Sequence, residues 1–434
     1  MDRSKPSYRS NILIRFFLIL AASFPLFASG QNTLQTFLDS AMIHNPEAVS
    51  IQTQINSFQY DNQMIDAVLR SPKGFLSSEV LVAPYFNNNG KLIDIYPSDH
   101  AIGYDVGITN GGLYSFLFNL EVPVLKGKQV THLQEQNQVA IDKLKTRLSL
   151  IENELRRSVG SQYFDALALQ AKVESNKENN GILNQEFRVI KTLLGKGLYR
   201  FSDYRLLELE LKSDSVNLTA LITDLELAVR QLKAACGIKD RAISRLESPV
   251  MIATEPISKS SLFIRPFAHD SLTSVAQQKV FNDRYLPQLN VYANSGLNST
   301  SIPNIQRHFG ASAGVQFTYN LFDGRQKKIN EEQLSLMIDE STHQKELKLN
   351  EVKTQADAYL KNIQKLKEEL LKEKQIQSEY KELFVLYQDE VKRAQISVIE
   401  LIALLQKRST FNLNIIQKEI TIKKLINEYN YWNK

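Results

Sequence analysis

The feature that most restricts the fold is a repeat with a fixed spacing of 197 positions. Gly127 and Gly324 lie that distance apart, as do Gly197 and Ala394, and Asp203 and Glu400. The agreement runs without a gap across roughly seventy residues of each half, so the chain reads as an internal duplication. Whatever one half folds into, the other is expected to fold into as well.

Most of each half has helical periodicity. In Val130–Leu194 apolar residues fall at Ile141, Leu144, Leu148, Ile151 and Leu155. In Lys327–Ala394 they fall at Ala356, Tyr359, Ile363, Leu366 and Leu370. Both runs alternate steps of three and four, which keeps an apolar seam facing a neighbouring helix. Neither contains proline, and about 65 residues at 1.5 Å each make a helix roughly 100 Å long. A shorter helical segment follows each, Phe201–Cys236 in the first half and Val398–Tyr429 in the second. The interruptions are Gly195-Lys196-Gly197, a strong helix stop, and Arg393-Ala394-Gln395, which lacks glycine. Each pair is expected to form an antiparallel helical hairpin with its tip there.

Strand patterns precede each long helix. Phe309–Leu321 alternates, with Phe309, Ala311, Ala313, Val315, Phe317, Tyr319 and Leu321 on one face and small or polar residues on the other. In a transmembrane barrel such a strand turns its apolar face to lipid and its polar face to water. Its length exceeds the roughly 9–11 residues that a tilted membrane strand needs. Leu286–Leu297 is its expected partner, and Phe75–Phe86 with the run Tyr114–Val124 repeats the arrangement in the first half. Each half thus reads helix, strand, strand, long helix, helix, over 31–247 and 262–434, joined by a linker at 248–261. Two strands per half make four per chain, below the roughly eight that the smallest practical barrel requires. The chain must associate with copies of itself to close one.

The start of the chain reads as an export signal over 1–30: basic residues, an apolar run Ile12–Phe27, then Ala28 and Gly30 placed for cleavage before Gln31. Beyond it no apolar stretch approaches the ~18–20 residues of a spanning helix, so membrane crossing would require a barrel. The net charge of +5 falls to +2 once the signal is removed, which gives no footprint for nucleic acid. Cys236, the single cysteine, excludes an intramolecular disulfide and sits in an apolar context suited to a buried thiol.

No enzyme signature survives inspection. Gly310-Ala311-Ser312-Ala313-Gly314 matches the G-x-S-x-G pattern, but that pattern works only at a sharp strand-to-helix turn, and here it lies inside an alternating strand. The six histidines show no metal-binding spacing, and no phosphate loop or dinucleotide fingerprint occurs. The expectation is a protein without catalysis, cofactor or metal.

The residues resemble the TolC family of outer-membrane efflux proteins. The resemblance rests on Ala41-Met42-Ile43-His44-Asn45-Pro46-Glu47, on Tyr285-Leu286-Pro287-Gln288-Leu289, and on Asn320-Leu321-Phe322-Asp323-Gly324-Arg325. It rests also on the tip pattern Gly197…Asp203 and Ala394…Glu400, and it covers essentially the whole mature chain. The second half lacks an Asn-Pro counterpart, and the first-half exit carries Lys126-Gly127-Lys128 without aspartate. Where some members carry a second tip acid, this chain has Leu206 and Ala403.

The resemblance implies an α+β membrane protein: a homotrimer with a shared twelve-stranded outer-membrane β-barrel and a periplasmic α-barrel of long helical hairpins. It implies the channel-tunnel of a tripartite efflux or type I secretion system in a Gram-negative outer membrane. The partners would be a periplasmic adaptor (membrane fusion) protein, an inner-membrane RND or ABC transporter behind it, and outer-membrane lipid. The alternative is a periplasmic adaptor or scaffold, which also uses coiled-coil hairpins. Within the channel reading, Glu400 and Asp203 are the candidates for the pore constriction, since a carboxylate ring at a narrow mouth selects cations. The competing role for each is to complement the dipole of the helix it begins. Gly197, Leu198, Ala394 and Ile396 are the candidate adaptor contacts at the tips, and Gly127 and Gly324 the strand-exit turns.

Overall fold

A computed structural model describes residues 33–82, 102, 112–240, 242, 245–255, 261–300, 302 and 305–434. The expected export signal and the polar loop Asn87–His100 lie outside the described residues.

The described residues open with α1 (Leu34–His44) and α2 (Pro46–Leu69). Asn45 separates them: its side chain accepts a hydrogen bond from the Ala48 N–H at 2.9 Å, and Pro46 fills a first-turn position that needs no N–H. The Asn-Pro pair is therefore a helix start. Strands β1 (Lys73–Val82) and β2 (Gly112–Pro123) follow, then the long helix α3 (Gly127–Gly195) and its return helix α4 (Phe201–Ala235). The second half opens with α5 (Arg265–Asn282), then β3 (Gln288–Ser299), β4 (Phe309–Thr318), α6 (Gln326–Lys392) and α7 (Val398–Trp432). Both return helices have 35 residues and both ends of α7 lie 197 positions after those of α4, so in these two helices the repeat is kept to the residue.

The strands form one antiparallel sheet in the order β1-β2-β3-β4. The pair β2–β3 joins the two sequence halves, with Tyr114 opposite Ser299 and Pro123 opposite Asn290. Strand β4 is shorter than its alternation predicts, ending at Thr318 and not at Leu321. The reason is its partner. Gln288 faces Thr318, and the next residue to bond β4 would be Leu286, whose N–H is already taken by the Asp283 carbonyl at 3.2 Å. Strand β1 starts two residues before the expected Phe75, and the last four residues of Phe75–Phe86 lie outside the described residues.

The chain packs as two compact units, each assembled from both halves. One comprises residues up to His44, Arg156–Ile252 and Ile363–Asn427; the other comprises Asn45–Leu155, Ala253–Asn362 and Glu428–Lys434. In the first, Phe37, Tyr163 and Phe164 are fully buried, with the Phe37 and Tyr163 rings edge-on at 5.6 Å. The Tyr163 hydroxyl donates to the Glu247 carbonyl at 2.5 Å, and burial raises its pKa to about 12. Cys236 is also buried there, its thiol pushed up to about 11 by desolvation. The residues leading into the linker and those within it are each pinned. Gln170 bonds both the carbonyl and the N–H of Leu246 in the first. In the second, Asn433 donates to the carbonyls of Thr254 and Glu255.

Candidate functional site

The hairpin tips carry the residues singled out by the repeat, and their backbones are built alike. After α3, the N–H of Leu198 bonds the Leu193 carbonyl at 3.0 Å and that of Gly197 bonds Leu194 at 2.9 Å. After α6, Gln395 bonds Glu390 at 3.0 Å and Ala394 bonds Val391 at 3.0 Å, each 197 positions on. This closure needs a left-handed residue. Gly197 supplies it with φ +72°, and Ala394 adopts φ +54° despite its Cβ. Helix α6 accordingly stops at Lys392, two residues short of the expected end.

Asp203 and Glu400 occupy equivalent places, the third residue of a returning helix. The Asp203 carboxylate accepts the Arg200 N–H at 3.1 Å. Glu400 Oε2 accepts both the N–H and the hydroxyl of Ser397, at 2.9 and 3.1 Å. These bonds hold the Glu400 carboxyl below the usual glutamate range. Each acid therefore closes a capping arrangement and lies at the positive end of a helix dipole. Glu400 is exposed and Asp203 half-buried. Of the nearby bases, Arg205 pairs with Glu208, and Lys392 pairs with Asp389 at 3.0 Å.

Beneath the tips the two hairpins share a core. Leu207, Leu401, Val391, Val398 and Ile190 are essentially sealed from solvent, flanked by Tyr199, Tyr204 and Ile396. Leu198 is 52% exposed, and Ile399 is exposed too, whereas Ile396 packs inward. Polar ties cross between hairpins. The Tyr199 hydroxyl lies 2.9 Å from the carbonyl of Ile396, its own repeat counterpart, and 3.2 Å from that of Val391. Gln388 donates to Glu186 at 2.7 Å, and Gln406 to Glu210 at 3.0 Å. Glu186 is only 4% exposed, and burial pushes its carboxyl above the usual range. Arg408 pairs with Glu178 at 2.8 Å while stacking over Phe384. None of these ties shows in the repeat: Tyr199 matches Ile396, and Glu186 matches Leu383.

The sheet is the second candidate surface. Its register puts Leu76, Val80, Phe116, Phe118, Leu120, Leu289, Val291, Leu297, Phe309, Val315 and Phe317 on one face. That face is open: Val315 and Phe317 are about two-thirds exposed. The other face carries Ser77, Glu79, Asn119, Glu121, Asn290, Asn294, Ser312 and Gln316, interrupted by Phe75, Leu81, Leu113 and Leu117. Asn119 bonds Ser77, and Ser312 bonds Asn294, both at 2.8 Å across strands. Ser312 thus lies inside β4, on a strand and not at an elbow. At Gly296 an added Cβ would come within 2.1 Å of the Phe116 carbonyl oxygen, so the close approach of β2 and β3 requires glycine.

The strand exits differ. Gly324 is left-handed at φ +60°, and Asp323 before it accepts the N–H groups of Arg325 and Lys327, each at 3.0 Å, to start α6. Those bonds, the Lys327 one foremost, hold its carboxyl low. Gly127, without an aspartate beside it, is simply the first residue of α3. Among the described residues no helix is long and apolar enough to cross a membrane, and no group of three metal-ligating side chains gathers.

No family model matches the sequence, and no curated protein matches it either. Solved structures do match in fold. The outer membrane protein VceC of Vibrio cholerae is 12% identical, with a TM-score of 0.65 over 92% of this chain and 96% of that one. The CmeC outer membrane channel of Campylobacter jejuni is 12% identical, with a TM-score of 0.64 over 100% and 93%. The open state of the MtrE outer membrane channel of Neisseria gonorrhoeae is 11% identical, with a TM-score of 0.66 over 92% and 88%. The fold is that of the TolC-type outer-membrane channels, as the sequence resemblance implies.

Proposed function

We propose that this protein is the outer-membrane channel-tunnel of a tripartite efflux or type I secretion system. It conducts substrate passively from a periplasmic adaptor and an inner-membrane pump to the exterior of a Gram-negative cell. One observation carries the reading: a four-stranded sheet with an open apolar face, an opposite face that is largely polar, and no fifth strand among the described residues. Such a sheet is not stable in water as it stands, and four strands cannot close. Three copies give twelve strands, lipid covers the apolar face, and water fills the polar interior. The tips lie at the adaptor end, with Gly197, Leu198 and Ala394 available for contact. Rings of Glu400 and Asp203 bias the mouth toward cations. The capping bonds of Glu400 are compatible with that role, because they hold its carboxyl below the usual glutamate range.

The test is to purify the mature protein in detergent, size the oligomer, and record planar-bilayer conductance beside Glu400→Ala. A trimer forming cation-selective channels, with selectivity reduced in the variant, is expected. A water-soluble monomer without conductance would overturn the channel. Unchanged selectivity in Glu400→Ala would overturn the acidic ring alone.

A further inference from the structure

Helices α3 and α7 and the segment after the first hairpin enclose a cleft that neither the tips nor the sheet uses. On α7 the lining residues Ile416, Glu419, Ile420 and Lys423 step by three, one and three, which sets them on one face of the helix. α3 lines another wall with the same spacing, from Leu167 to Glu174. Residues 245–248 close a third side, held there by Gln170, which bonds the carbonyl and the N–H of Leu246 at 3.0 and 2.8 Å. The cleft measures about 490 Å³ and lies within one compact unit. Small-molecule sites span roughly 300–1,000 Å³.

Its charges are not balanced. Glu174 pairs with Arg245 at 3.1 Å and Glu419 with Lys374 at 2.6 Å, so two of the lining carboxylates are already answered. Glu247, the remaining one, is exposed, and water screens it. Lys423 is the charge left over. Its ammonium bonds the hydroxyl of Ser248, and among the described residues no carboxylate lies within ion-pairing distance of it. Burial lowers its pKa from the usual lysine range, and Glu419, one turn earlier, offsets this only in part. An ammonium has three donors, so two are still to be met. Ser248 accepts from Lys423 and keeps its own hydrogen to donate. Ile416 and Ile420 share the helix face of Lys423, and Ala171, with its short side chain, leaves room beside them.

We propose that this cleft binds a small amphipathic carboxylate, its charged head on Lys423 and Ser248 and its apolar body against Ala171, Ile416 and Ile420. A half-buried ammonium without a counter-ion is what such a head group relieves, because a charge drawn out of water is costly until it is paired. A neutral ligand of the same shape leaves that cost in place, and a cation adds to it. The duplication carries no copy of the site: 197 positions before Lys423 stands Glu226, of the opposite sign. The site stands whether or not the chain forms a channel.

The probe is para-trifluoromethylbenzoate, followed by fluorine NMR line broadening on the detergent-purified full chain. The matching benzyl alcohol, with a neutral head, reports uptake by detergent. The parent is expected to broaden the benzoate saturably, at one site per chain, and not the alcohol. Lys423→Met should weaken the benzoate about tenfold or more, and Lys423→Arg should restore it. Ala171→Leu should weaken it too, by filling the cleft while leaving the ammonium in place. Benzoate broadening no more saturable than that of the alcohol would overturn the site. So would parent-like binding in both Lys423→Met and Ala171→Leu, since the acid would then bind elsewhere. If Lys423→Met fails to fold, Ala171→Leu decides: lost binding at a parent-like melting point supports the site, and retained binding overturns it.

Discussion

Ala394 does at the second tip what Gly197 does at the first, and it does so at a cost. A left-handed conformation in a residue with a Cβ costs roughly 1–2 kcal/mol, whereas glycine adopts it freely. No atom lies within 4 Å of a Cβ placed on Gly197, so a substitution there tests the backbone alone. Gly197→Ala is expected to destabilise the first tip by about 1 kcal/mol, and Ala394→Gly to stabilise the second by somewhat less, because glycine also gains freedom when unfolded. Hydrogen exchange at Leu198 and Gln395 reads both changes; equal exchange in parent and variants would refute the strain. Glu400 makes a second residue-scale prediction. Its carboxyl is held below the usual glutamate range, so its contribution is present above the unfolded value and lost as pH falls through the lower, folded one. Glu400→Gln should flatten the acid-side dependence of exchange at the start of α7, and an unchanged slope would remove Glu400 from the cap.

At the scale of the element, the hairpins are tied by groups that titrate in the opposite sense. Glu186 is buried against Gln388 with its pKa raised by desolvation. Its favourable contribution is full below the unfolded glutamate value and is lost as pH rises through the folded one. Glu186→Gln keeps the acceptor for Gln388 and removes the buried charge. The variant should melt higher at pH 8 and show a smaller difference between pH 5 and pH 8; a lower melting point at both would mean the carboxylate is needed ionised. Tyr199→Phe removes the hydroxyl at the Ile396 carbonyl and should cost about 1 kcal/mol, read as faster exchange of both tips together. These ties were not legible in the sequence, because a repeat reveals what two halves share and the ties join unlike residues. The hairpins were legible, since heptad spacing without proline leaves few other outcomes. Helix α4 starts at Phe201, as its pattern indicates. The end of β4 was not legible, because alternation is a property of one strand and the ladder stops where its partner's Leu286 N–H turns to the Asp283 carbonyl. The exit turns divide the same way: Asp323 and Gly324 make the turn that their types suggest, while Gly127, lacking the acid, merely begins a helix.

At the scale of the whole molecule, neither compact unit belongs to one half of the duplication, so the repeat folds as an interleaved pair. The sheet shows why that interleaving matters. Strand β2 must find β3 of the other half before the sheet has more than two strands, and only the full sheet has both the β1 and the β4 edge. The edges can be separated from the sheet by a single residue. Val315 directs its N–H to the open edge of β4, so Val315→Pro leaves the β3–β4 ladder its hydrogen bonds while blocking an added strand. Gln316→Pro, one residue on, removes a donor facing β3 and damages the sheet itself. The expected outcome for Val315→Pro is parent-like helicity by circular dichroism, a monomer in detergent and no bilayer conductance. Gln316→Pro should lose conductance with a lowered melting point as well. If Val315→Pro still assembled and conducted, the copies would have to meet elsewhere than along β4, and the open edge would need another cover.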